Sequence, residues 1–208
     1  MKLIFVLIAP LVLVACTPMK LSQPSLADEY SRVMSLDKQH FLDAITVKDD
    51  QFEEVAVLDT RKGYIQNWPL GAGLTHDVFL RGFINKRTGE RKYQVYVIIN
   101  HHSESWLFPY QANYGRPLRS VMADKIHSEV KNCVRSTSCF FIEHATFYVE
   151  EKELLRMRTL SPEDIATKTW QFKLKTKKGQ DVLNGFNANE ILALLEFMET
   201  YSPVKMLN

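Results

Sequence analysis

The chain has 208 residues, with 26 Lys and Arg against 24 Asp and Glu. A balance this near neutral argues against the concentrated basic field that a nucleic-acid partner needs, and against polybasic docking to a membrane surface. At 46% hydrophobic and 11% aromatic residues, the length suits a single globular domain with a sizeable, β-rich core.

The first element is an export signal. Met1-Lys2 is followed by an uncharged run from Leu3 to Ala15. One positive charge and then a short apolar stretch is the pattern of a secretory signal, and the run falls short of the roughly 20 residues of a membrane span. Pro10 in its middle argues against a core helix. Leu13-Val14-Ala15-Cys16 resembles the lipobox of bacterial lipoproteins. The resemblance implies cleavage between Ala15 and Cys16, a thioether-linked diacylglycerol on Cys16 and acylation of the new α-amine, palmitate being the typical chain. Two or three chains give firm anchoring, at about 0.8 kcal/mol per buried CH2. Thr17, where an Asp would imply retention at the inner membrane, implies the outer membrane, with the protein facing the periplasm. Residues 1–15 are therefore the signal peptide, 16–25 the lipidated Cys and its tether, and 26–208 the globular domain. Loss of residues 1–15 removes Lys2 alone among charges, leaving 25 bases against 24 acids.

Apolar spacing predicts helices over 26–35 (Leu26, Tyr30, Val33, Met34) and 37–46 (Phe41, Leu42, Ile45). A strand over Phe52–Leu58 follows, with Val55 and Val57 alternating against Glu54 and Ala56. Gly71-Ala72-Gly73 lacks a phosphate-binding pattern and reads as a flexible loop. Residues 77–85 and 92–100 are rich in β-branched and aromatic side chains, and Gly89 between them suits a tight turn, so a hairpin is expected. A short strand is expected around Trp106 within 104–110, and Gly115-Arg116-Pro117 breaks the chain. Residues 118–132 fit either a helical face or two strands. Strands are favoured because Cys139–Val149 beside them reads clearly as one.

With Cys16 committed to lipid, Cys133 and Cys139 remain, an even pair in an oxidising compartment, and a disulfide is expected. A loop this small is worth about 2.4 kcal/mol in chain entropy. Glu150–Met157 reads as a short polar helix, and Ser161-Pro162-Glu163-Asp164 as a capping box with proline at N1. Trp170, Phe172 and Leu174 alternate with Gln171, Lys173 and Lys175, a half-buried strand. A return strand over 181–186 leads to a final helix capped by Asn187, with Ile191, Leu194, Leu195 and Met198 as its buried stripe. Short connections and no strand–helix–strand repeat imply an α+β fold, mainly an antiparallel sheet or sandwich with N-terminal helices and a C-terminal helix.

No nucleophile elbow, phosphate loop or HExxH motif is present. His101, His102, His127, Glu129 and His144 are of metal-ligating type, yet nothing in the spacing forces them together, so no metal is expected. Ser103, His101 and Asp77 assemble into a triad only on paper. Glu53-Glu54 and Glu150-Glu151 are adjacent acids whose side chains point apart on a strand, unlike a glycosidase pair. The basic strip Lys168–Lys178 reads as a wet sheet face, with binding of an anionic lipid or polymer as the functional alternative. Trp106, Phe108, Tyr110 and Tyr114 are the candidate partner groove.

The order from Asp77 to Tyr201 (a hairpin ending Tyr93-Gln94-Val95-Tyr96-Val97, then Trp106, the cysteine pair, Trp170-Gln171-Phe172-Lys173-Leu174-Lys175 and a final helix) resembles a set of proteobacterial secreted or lipid-anchored proteins with no assigned activity. It implies a small cysteine-stapled envelope domain. The expected function is a lipid-anchored, non-enzymatic binding or assembly accessory. Its cofactor complement is none beyond the lipid on Cys16, and its partners are the membrane and another envelope protein. A small-ligand or lipid-binding lipoprotein and an envelope hydrolase are the alternatives.

Overall fold

The computed structural model describes Arg32 and residues 35–63, 75–134 and 138–206. Cys16, the signal and tether, and Gly71–Gly73 lie outside the described residues, as does the expected helix over 26–35 except at Arg32 and Ser35. Among the described residues, two antiparallel sheets with helices from Lys38 onward at Lys38–Ala44, Glu151–Leu155, Pro162–Thr167 and Ala188–Thr200 make the fold α+β.

In chain order, α1 (Lys38–Ala44) is followed by β1 (Thr46–Lys48), β2 (Val55–Asp59), β3 (Thr75–Asn85) and β4 (Arg91–Ser103). Then come β5 (Pro109–Tyr114), β6 (Arg119–Met122), β7 (Asp124–Val134) and β8 (Ser138–Val149). The chain continues through α2 (Glu151–Leu155), a 3-10 turn (Arg156–Thr159), α3 (Pro162–Thr167), β9 (Thr169–Thr176), β10 (Val182–Asn187) and α4 (Ala188–Thr200). One sheet has the order β1-β2-β3-β4-β8-β7 and the other β10-β9-β5-β6.

The expected pair of N-terminal helices is not supported. Asp37 caps α1 by accepting from the His40 N–H at 2.8 Å, and β1 begins at Thr46, which leaves room for only seven helical residues. The β2 face is also reversed from expectation. Ala56 and Leu58 are buried in the core while Val55 and Val57 lie on the outer side. Residues 55–58 are all apolar, so period two carries no sign there. The expected strand around Trp106 is a strandless link, and pairing resumes only at Pro109.

The hairpin β3–β4 pairs Thr75 through Ile84 with Asn100 through Arg91, and Gly89 takes φ 72° in its turn. The ambiguous stretch forms two strands, Arg119–Met122 and Asp124–Val134, and the Cys133–Cys139 disulfide staples the β7–β8 hairpin at its closed end. Alternation along β9 buries Trp170, Phe172 and Leu174.

The core lies between the sheets. Val78 and Leu80 of β3, Val95, Val97 and Ile99 of β4, and Ala145 and Phe147 of β8 face Tyr114, Trp170, Phe172 and Phe186 of the smaller sheet. Helix α4 completes the layer with Ile191, Leu194, Leu195 and Met198. A fully buried Leu or Phe contributes about 1.5–3 kcal/mol, so this layer carries most of the stability. Gly82 permits the helix to close on β3, because a Cβ there would lie 2.0 Å from Met198 Sδ. A buried ion pair ties the C-terminal tail down. Asp49 pairs with Lys86 and accepts at 2.7 Å from both the Tyr201 hydroxyl and the Val204 N–H.

Candidate functional site

Several of the residues singled out by sequence are separated by strand parity. On β4, odd-numbered residues face the core and even-numbered ones the outer side, so His101 and His102 diverge. His101 is buried and its Nε2 lies 3.1 Å from Glu143 Oε1. Asp77 pairs in register with Ile98, on the face opposite His101, so the Ser103–His101–Asp77 arrangement does not form. His102 lies against Phe140. His127 and His144 are cross-strand neighbours with ring centroids 5.3 Å apart, and His144 Nδ1 is 2.8 Å from the Tyr96 hydroxyl. Burial holds the His144 pKa below the ordinary histidine value, with nearby His127 and Arg61 adding to the effect. Glu129 stands opposite Ile142, and among the described residues no group of three His, Cys, Asp or Glu is placed to hold a metal ion. The paired acids are engaged separately: Glu54 with Arg87, Glu150 with Arg119 and Lys152, and Glu151 with the Tyr93 hydroxyl.

The four aromatics of the expected groove are divided. Tyr114 is in the core, stacked at 6.0 Å from Phe147. Trp106 packs edge-on against Phe141, with Lys125 Nζ 5.5 Å from its ring, and only Phe108 and Tyr110 are exposed. Their link is pinned from inside by Glu143, which accepts from the Leu107 and Phe108 N–H groups at 2.6 and 3.0 Å. Burial alone would raise the Glu143 pKa, but the His101 contact and these two N–H donors outweigh it and hold the carboxylate below its usual range. Phe108 sits at φ 56°, a left-handed conformation that this clamp sustains.

Among the described residues, a concave site lies over one end of the smaller sheet. A groove of about 710 Å3 is lined by Asn113–Arg116 and Leu118 of the β5–β6 turn, Glu153, Arg156 and Met157 of the α2 segment, Lys168–Lys173 and Leu183. That volume falls within the roughly 300–1,000 Å3 of small-molecule sites. The α2 segment, expected to be polar and solvated, instead buries Glu153, whose side chain is 1% exposed. Its carboxylate accepts from Arg119 Nε at 3.2 Å and pairs with Arg156 Nη1 at 3.1 Å. Arg156 also donates to the Arg116 carbonyl oxygen, which fastens the β5–β6 turn to the α2 segment. Gly115 is required there twice over. It adopts φ 77°, and a Cβ would lie 2.9 Å from Glu153 Oε2.

Four cations line the groove, Arg116, Arg156, Lys168 and Lys173, against the single acid Glu153. Glu153 is already engaged by two arginines. Lys168 reaches Asp164 at 2.9 Å in an exposed pair, an interaction of about 0–1 kcal/mol that a ligand can displace. Among the described residues Arg116 and Lys173 form no ion pair. The lining is also apolar in part: Leu118 and Leu183 are 72% and 65% exposed. Trp170, another lining residue, is 5% exposed, and its indole N–H has no hydrogen-bond partner. Sequence pointed to part of this site through the basic strip, which contains Lys168 and Lys173. Arg116 and Arg156 were missed, because no local pattern brings them to it.

No protein family, curated protein or solved structure matches the chain.

Proposed function

We propose that this protein is a lipid-anchored component of the bacterial cell envelope that acts by binding rather than by catalysis, with the groove over β9 as its binding site. The observation that carries the location is Leu13-Val14-Ala15-Cys16 behind a short uncharged run. The Cys133–Cys139 disulfide agrees with it, since such bonds persist in oxidising compartments. On this reading residues 1–15 are removed and Cys16 carries the acyl chains. Residues 17–25 would be the tether, and Thr17 directs the protein to the outer membrane, periplasmic side.

A binding role is favoured by how the titratable groups are used. Glu143, Glu153 and Asp49 are each saturated by protein partners, so none is poised to exchange a proton with a substrate. The groove offers fixed positive charge and apolar surface, the equipment of recognition. Intact-mass spectrometry of the protein from its native membrane tests the location. The expected result is a chain beginning at an acylated Cys16, whereas a bare thiol or retention of residues 1–15 refutes the anchor.

A further inference from the structure

We infer that the groove over β9 binds the phosphate of a small amphiphile, with the phosphate at Arg116 and Lys173 and the apolar body along Leu118 and Leu183. This deepens the binding reading and rests on it for the envelope setting, in which phosphate-bearing amphiphiles are the surrounding solvent.

Charge decides the head group. Four cations face one acid already shared between Arg119 and Arg156. Arg116 lies in the β5–β6 turn and Lys173 on β9, and both line the groove, exposed and without an ion-pair partner among the described residues. Unneutralised cations in a concavity focus field onto an anion, and a guanidinium presents a fork that matches phosphate oxygens. The wall carrying Arg116 is not free to drift. Its carbonyl is held by Arg156, its neighbour Gly115 lies against Glu153, and Glu153 is held by Arg119. Such preorganisation spares the ordering cost of binding.

Hydrophobicity decides the rest of the ligand. An anion site for a free ion has no use for two leucines that are mostly exposed on the groove wall, beside Met157 and Phe172. Covering those exposed leucines removes apolar surface from water, which favours a ligand with an apolar body.

The test is calorimetric titration of residues 16–208 carrying Cys16→Ser, a soluble mature chain, so its outcome does not depend on lipidation, which mass spectrometry decides separately. The probes are monomeric dihexanoyl phosphatidylglycerol, its phosphatidylcholine analogue and inorganic phosphate. Expected is saturable binding of the phosphatidylglycerol, tighter by tenfold or more than inorganic phosphate and weakened by salt. The Arg116→Gln/Lys173→Gln pair, which removes two solvent-exposed and unpaired side chains, lowers affinity at least tenfold. The Lys177→Gln/Lys178→Gln pair removes equal charge outside the groove and leaves affinity unchanged. Equal affinity for inorganic phosphate shows the source to be a soluble ion and overturns the amphiphile. Equal loss from both lysine and arginine–lysine pairs reduces the effect to diffuse charge and overturns the site. Absence of phosphatidylglycerol binding overturns it outright.

Discussion

Two buried glutamates, Glu143 and Glu153, hold the two ends of β5, and they do so in opposite ways. Glu143 grips the link before the strand through backbone N–H groups and a histidine ring, and everything it touches is inside. Glu153 grips the turn after the strand through two arginines, and the charge it recruits exceeds its own. The first end is thereby closed and electrically complete. The second opens into a groove carrying a surplus of positive charge. The contrast teaches that a buried carboxylate is not by itself a mark of chemistry. What distinguishes a binding region is the charge left over after the protein's own groups have been counted.

The largest effect that can break this comparison is at Glu143. Glu143→Ala leaves two backbone donors and a ring nitrogen facing a cavity, and a loss of about 3–5 kcal/mol in denaturant unfolding is expected. A loss below about 1 kcal/mol contradicts the clamp. A smaller effect is expected at the open end. Gly115→Ala forces a side chain into φ 77° and against the Glu153 carboxylate, for about 1–3 kcal/mol, and it weakens ligand binding by displacing the Arg116 wall. An unchanged unfolding midpoint contradicts the packing described there.

The smallest effect is pH-dependent and belongs to the closed end. Hydrogen bonds hold the Glu143 and Asp49 carboxyls below their ordinary values of 4.5 and 3.8, despite burial that works the other way. A folded-state pKa below the unfolded one adds stability that is complete above the unfolded value and is lost as pH falls through the folded one. Unfolding free energy therefore falls through these carboxyls below about pH 5, after an earlier fall below about pH 6.5 from His144, whose folded pKa is also held down. The decline is shallower in Glu143→Gln. An equal decline in that variant assigns the acid sensitivity to other groups.

The regular parts of the fold were legible because local chemistry and tertiary context agree in them. Gly89 at the β3–β4 turn, the Ser161 cap of α3, the strict alternation along β9 and the Asn187 cap of α4 all stand where residue type places them. β2 was misassigned in sense because four successive apolar residues erase the alternation. Glu143 had a readable signal once its strand was accepted. It shares a face with Phe141, Ala145, Phe147 and Val149, and a lone acid among such neighbours demands partners. The groove was legible only through Lys168 and Lys173. Arg116 and Arg156 stand 40 residues apart in sequence and meet where Arg156, held by Glu153, donates to the Arg116 carbonyl, in a segment legible only as a polar helix. Long-range electrostatic assembly of that kind leaves no periodicity to find.

The most direct measurement of the central claim is an amide 1H–15N correlation spectrum of the soluble mature chain titrated with monomeric dihexanoyl phosphatidylglycerol. Shifts that saturate and concentrate at residues 113–118, 153–157 and 168–173 are expected. Shifts that cluster instead at Trp106, Phe108 and Tyr110, or that spread evenly over the lysines, contradict the groove as the binding site.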